Sequence, residues 1–155
     1  MRKDEVTIRR LFPSYFELFD LPEGAREEKN QVYRACKTNE CDNESFTPSY
    51  EEKGCIHLEG EDPKDPSLYS LSTYEKPKDV KRFAICNVDY KKPYKIAFGV
   101  TDESCGPAQR TRERVKRCKN SHVDWWLYEG AKPYEYFDMI DNFEIYYEEY
   151  KKRNK

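Results

Sequence analysis

From Val6 to Phe19 the apolar residues fall at Ile8, Leu11, Phe12, Tyr15, Phe16 and Phe19, a spacing that places them on one side of a helix. Pro13 interrupts the run and suits a first helical turn, so the pattern predicts a short helix that begins near Pro13 and is ended by Gly24. QVYRAC, from Gln31 to Cys36, fits strand or helix. CIHLE (Cys55 to Glu59) and LYSLSTY (Leu68 to Tyr74) read as short strands. RFAICNVDY, then KKP, then YKIAFGVT predicts a strand pair. In its second member Tyr94, Ile96, Phe98 and Val100 alternate with Lys95, Ala97, Gly99 and Thr101, which is period two with one apolar face. The opposite face is small, as it is where another backbone or a ligand comes close. After Pro133, Tyr136, Ile140, Phe143, Tyr147 and Tyr150 follow at steps of four, three, four and three, which predicts a terminal helix from about Pro133 to Lys152. Acids early in it (Asp138, Asp141, Glu144) and bases at its end (Lys151, Lys152, Arg153) suit the helix dipole.

The order is helix, several short strands, then helix. It predicts one domain over residues 1–155, of α+β or mainly β class. The expected architecture is a small disulfide-crosslinked antiparallel β-barrel, or a bent sheet, packed by a C-terminal α-helix. Composition changes this picture in one respect. Apolar and charged residues each make up 37% of the chain and aromatics 15%, so the core must be built largely from rings. The net charge of -2 lacks the basic excess of a duplex nucleic-acid binder. No apolar run approaches the roughly 20 residues that span a bilayer, so no membrane partner is expected.

Six cysteines (Cys36, Cys41, Cys55, Cys86, Cys105 and Cys118) are scattered through this polar chain. The even count predicts three disulfides; no pair has C-x-x-C spacing, so no metal site is expected. Asn43-Glu44-Ser45 is a glycosylation sequon. Together these predict a secreted, extracellular protein. The opening MRKDEVTIRR is no signal peptide, and the reading requires that one has been replaced by a start Met.

Chemistry-bearing residues concentrate in two places. GPAQRTRERVKRCKN, Gly106 to Asn120, carries Arg110, Arg112, Arg114, Lys116, Arg117 and Lys119 against one acid, Glu113. It reads as a solvated segment held by Cys118, or as a site for sulfated polysaccharide or an acidic partner. In HVDWWLY, read as a strand, Val123, Trp125 and Leu127 share one face, and Asp124, Trp126 and Tyr128 the other. One indole then faces the core and the other faces out or into a second layer. The first reading makes Trp125 a core anchor and packs Trp126 under the terminal helix. The sharper one makes an aromatic wall beside Asp124, with Tyr94, Ile96 and Phe98 opposite, suited to a small amine. The acidic loop EGEDPKDP reads as solvated rather than as a calcium site.

GVTDESC (Gly99 to Cys105) and DWWLYEGAKPYEYFDMIDNF (Asp124 to Phe143) together resemble the C-terminal end of tick salivary lipocalins. There a cysteine-bearing strand precedes a Trp-bearing strand, a Pro-containing turn and a helix with Phe and Tyr. IRRLFPSYFELF resembles the N-terminal helical lid. The resemblance covers about a third of the chain. It lacks the cysteine usual within or after the terminal helix, and Cys36, Cys41 and RVKRC have no counterpart. It implies an eight-stranded barrel that binds amines, lipids or a host defence protein.

No nucleophile motif, zinc-helix motif or phosphate-cradling glycine loop is present, so no enzyme and no cofactor is expected. The expectation is a secreted binding protein that sequesters a host immune, complement or clotting factor. The alternative is a carrier that holds a small amine or lipid in an aromatic cavity. The candidate contact residues are Asp124, Trp125, Trp126, Tyr128, Tyr94, Phe98, Arg112 and Arg114.

Overall fold

A computed structural model describes residues 12–86 and 93–154, with the side chain of Cys86 outside the described atoms. Six strands form one antiparallel sheet: β1 (Gln31–Cys36), β2 (Leu71–Tyr74), β3 (Lys95–Val100), β4 (Ala108–Arg110), β5 (His122–Trp125) and β6 (Phe137–Met139). Their order is β4-β5-β2-β1-β3-β6, so β1 is central and the sheet is open, not closed into a barrel. The expected barrel is therefore corrected to an α+β sheet. A meandering barrel needs each strand beside its chain neighbour, whereas here β3 passes β2 to pair with β1.

Three helices join it: a single turn α1 (Ser49–Glu52), α2 (Pro77–Cys86) and α3 (Phe143–Arg153). Register sorts the side chains. Tyr33, Ala35, Tyr74, Ile96 and Phe98 share one face, on which α2 and α3 lie through Val80, Phe83, Ala84, Phe143 and Tyr146. Val32, Cys36, Leu71, Ala97, Val123 and Trp125 share the other, and pack on Phe46, Cys105, Leu127 and Phe137. With both faces covered, β1 reads as a nearly continuous buried run, which is why its alternation is hidden in the sequence. A third cluster, Phe19, Tyr50, Tyr69 and Trp126, fastens the N-terminal segment. There Phe19 stacks on Tyr69 at 4.4 Å between ring centroids.

Several expectations change. The N-terminal helix is a 3-10 turn, Ser14–Leu18, led by Pro13; the pattern from Val6 to Leu11 lies outside the described residues. CIHLE forms no strand: Cys55 has φ +61, and Ile56 and Leu58 point outward. RFAIC belongs to helix α2, while positions 87–90 of that expected strand lie outside the described residues. The decision falls at Ile85: a strand would bury it beside Phe83, but in the helix Val80, Phe83 and Ala84 face the sheet and Ile85 is 41% exposed.

The terminal helix starts ten residues late. Pro133–Tyr136 is a 3-10 turn and Phe137–Met139 is strand β6 against β3. Gly99 permits this, because a Cβ there would stand 2.2 Å from the Tyr136 carbonyl oxygen. The small face of β3 is thus small because backbone approaches it. Asn142 then caps α3, its side chain accepting from the Ile145 amide at 3.1 Å.

The expected disulfide framework is also corrected. Cys36, Cys41, Cys55, Cys105 and Cys118 are free thiols. Cys36, buried at the end of β1, has the Cys41 thiol within hydrogen-bonding reach but not bonded to it, whereas Cys105 is buried in a 3-10 turn and Cys55 is exposed. Among the described residues the core is three packed clusters, of which the third is wholly aromatic.

Candidate binding cleft

The antiparallel order brings the end of β2, the end of β4, the starts of β1 and β5 and the end of β3 to one end of the sheet. The last turns of α3 overhang that end. Between them lies an open cleft of about 710 Å³, lined by Lys29, Asn30, Gln31, Tyr33, Glu75, Phe98, Arg110, Tyr146, Tyr150, Arg153 and Asn154. A groove of about 360 Å³ shares Tyr150 and Asn154 and adds Lys76, Lys78, Tyr147 and Lys151. The two together wrap the C-terminal end of α3.

The floor is aromatic. The rings of Tyr33 and Phe98 lie 4.7 Å apart, and Tyr146 meets Tyr33 edge-on at 5.9 Å. The Tyr33 and Tyr146 hydroxyls are hydrogen-bonded to each other. Burial, and then that hydrogen bond, push the Tyr33 phenol up, so that hydroxyl stays protonated at neutral pH. The rim is cationic. Arg110 is held by a bidentate pair with Glu75, at 2.8 and 3.1 Å, and Lys29 faces Glu103 at 3.6 Å. Asp79 is engaged by the Ser121 amide and hydroxyl at 2.9 and 2.6 Å. Lys76, Lys78 and Arg153 form no ion pair among the described residues. A chain with net charge -2 therefore presents unneutralised positive charge around an apolar floor.

Of the residues expected from the sequence, Phe98 lies in this cleft and is half-buried. Tyr94 lines a separate pocket with Arg34 and Ser72. Asp124, Trp125 and Trp126 are fully buried. Trp125 sits in the core under β6 with its indole N–H donating to Gly106 O at 3.0 Å. Trp126 packs under the N-terminal segment rather than the terminal helix, and donates to Pro66 O at 2.9 Å. Tyr128 is buried and donates to Glu27.

Asp124 faces polar partners on every side. It accepts from Ser70 Oγ at 2.6 Å, Thr111 Oγ1 at 2.8 Å, Arg114 Nη2 at 3.0 Å and Ser67 Oγ at 3.4 Å. Arg114 also donates to Gln109 at 2.7 Å and lies over the Trp126 ring at 5.6 Å. The carboxylate that was to meet an amine is thus saturated by the protein's own donors. The basic segment divides accordingly: Arg114 turns inward to Asp124 and Arg110 pairs with Glu75 at the cleft, whereas Arg112, Lys116, Arg117 and Lys119 are exposed. Asn43 is exposed and its sequon partner Ser45 buried.

The cleft residues missed in the sequence are Tyr33, Tyr150, Lys76, Lys78 and Arg153. They come from three distant segments, and only the strand order unites them. No family model, curated protein or solved structure matches this chain.

Proposed function

We propose that this protein is a binding protein whose cleft holds an extended, acidic segment of a partner protein. The observation that carries this reading is the aromatic floor of Tyr33, Phe98, Tyr146 and Tyr150 beneath the unpaired cations Lys76, Lys78 and Arg153. Rings give contact area at low entropic cost, and the rim charges select and orient an acidic chain. The partner class expected from the sequence, a secreted defence or clotting protein held by sequestration, belongs to this proposal. A cationic rim disfavours a small amine. It also makes the exposed bases at 112–119 a continuation of the same positive end rather than a separate polysaccharide site.

The test is a fluorescence titration with a labelled peptide of alternating glutamate and aromatic residues. Saturable 1:1 binding that weakens with salt is expected, and Lys76→Glu with Lys78→Glu should reduce affinity about tenfold. Binding that ignores both salt and charge reversal would overturn the assignment. Equal competition by a fatty acid would favour the lipid-carrier reading instead.

A further inference from the structure

At the other end of the β1–β2 seam, a pocket of about 230 Å³ is lined by Arg34, Ala35, Ser72, Phe83 and Tyr94 among others. Strands β1 and β2 meet at Tyr33↔Tyr74, and beyond that pair the Arg34 guanidinium reaches the Ser72 carbonyl at 2.9 Å. Ser72 is half-buried, and register places its side chain beside Asp124 on the face shared with Ala35 and Tyr74. Its Oγ lies 2.9 Å from His122 Nε2. The other ring nitrogen, Nδ1, is hydrogen-bonded to Thr111 Oγ1 and stands 3.9 Å from Asp124 Oδ1, beyond hydrogen-bond range.

The direction of each proton follows from counting. Asp124, ion-paired to Arg114, can only accept. Thr111 has one hydroxyl proton, and it goes to Asp124 at 2.8 Å. Thr111 Oγ1 must therefore accept from His122 Nδ1–H, which fixes the imidazole tautomer and leaves Nε2 as a lone pair. Nε2 in turn accepts the Ser72 hydroxyl proton. This is the ground state of a serine with its base, the base being oriented by a third group.

We propose that Ser72 is an activated nucleophile, with His122 as its general base and Thr111 as the positioning residue, that accepts an acyl group from a carboxylic ester. Ser72 Oγ would form a bond to the carbonyl carbon as its proton passes to Nε2. The ester C–O bond then breaks and the leaving alcohol takes that proton. Water, deprotonated by the same nitrogen, releases the acid and restores Ser72. The inference is independent of the acidic-segment cleft. Burial holds the His122 ring below its usual pKa, with Arg114 and Arg34 acting in the same direction against Asp124, so the base is free at neutral pH.

The test is labelling with a fluorophosphonate, which forms an Oγ–P bond and expels fluoride, followed by peptide mass mapping. Stoichiometric adduct on Ser72 is expected, about 100-fold faster than on the exposed serines. It should be lost in Ser72→Ala and slowed comparably in His122→Gln. In the unaltered protein the labelling rate should hold from neutral into mildly acidic pH and then fall, which needs no variant to fold. Label spread evenly over surface serines, or a rate indifferent to His122→Gln in a folded variant, would show an ordinary cross-strand polar network and overturn the proposal.

Discussion

Gly99→Ala probes the contact that places α3 over the sheet. Gly99 pairs with Phe137 across β3 and β6. A Cβ on it would stand 2.2 Å from Tyr136 O, 2.6 Å from Phe137 Cγ and 2.8 Å from Phe137 Cα. Two of these, Tyr136 O and Phe137 Cα, are backbone atoms, so no rotamer change relieves the clash. Phe137 cannot yield either, being 5% exposed and wedged against Phe46 at 4.9 Å between centroids. Strand β6 must retreat by about an ångström to restore ordinary contact. Overpacking of this kind costs about 1–3 kcal/mol. Loosening the β3–β6 ladder adds about 1 kcal/mol for each hydrogen bond lost, which puts the total near 3 kcal/mol. With a urea dependence of about 2 kcal/mol per molar, the unfolding midpoint should fall by about 1.5 M. The competing arrangement, a helix running from Pro133, leaves Gly99 uncrowded, and alanine in a strand interior would then stabilise by about 0.5–1 kcal/mol. The two arrangements predict opposite signs, so a raised midpoint would refute the β6 pairing and with it the overhang that forms the cleft.

Asp124→Ala leaves Arg114 without its carboxylate, and three hydroxyls lose their acceptor; a loss of about 3–5 kcal/mol is expected in equilibrium unfolding. In the native protein without reductant, alkylation followed by mass mapping should modify Cys55 first. Cys36, whose thiol burial pushes up to about 12, should react only on unfolding. The described cysteines found already joined in disulfides would contradict the thiol assignment. His122 has a folded pKa below its ordinary 6.5, so the unfolded chain binds the proton more tightly, and its contribution to stability is lost as pH falls below about 6.5. Between pH 7.5 and 5.5 the urea midpoint should therefore fall further for the unaltered protein than for His122→Gln, and identical slopes would count against a buried neutral ring.

The legible parts of the fold were those where local pattern and tertiary placement agree. Strand β3 was readable because one face is apolar and the other small, and even the close backbone approach at Gly99 was implied by it. The helical start at Pro13, though not its 3-10 form or its end at Leu18, and the opposed burial of Trp125 and Trp126 were likewise readable. Helix α2 was not, because Phe83-Ala84-Ile85 suits a strand as well as a helix until the partner face is known. Tyr136, Ile140 and Phe143 keep helical spacing across a segment that is partly strand, since pairing with β3 outweighs a spacing that arises by coincidence. The cleft was illegible for a different reason: Tyr33, Lys76, Phe98 and Tyr150 share no local pattern, and meet only because β1 lies between β2 and β3. The even cysteine count carries no information on which thiols approach one another: among the described cysteines Cys36 and Cys41 are neighbours, yet both are free.

The central claim, that the cleft under the end of α3 is the working surface, is tested most directly by two-dimensional amide NMR during titration with the alternating glutamate–aromatic peptide. Shifts should concentrate at Asn30, Gln31, Tyr33, Phe98, Tyr150 and Asn154, and the 55–65 loop should remain still. Saturable shifts centred on another surface, or none at concentrations well above those of the fluorescence titration, would contradict it.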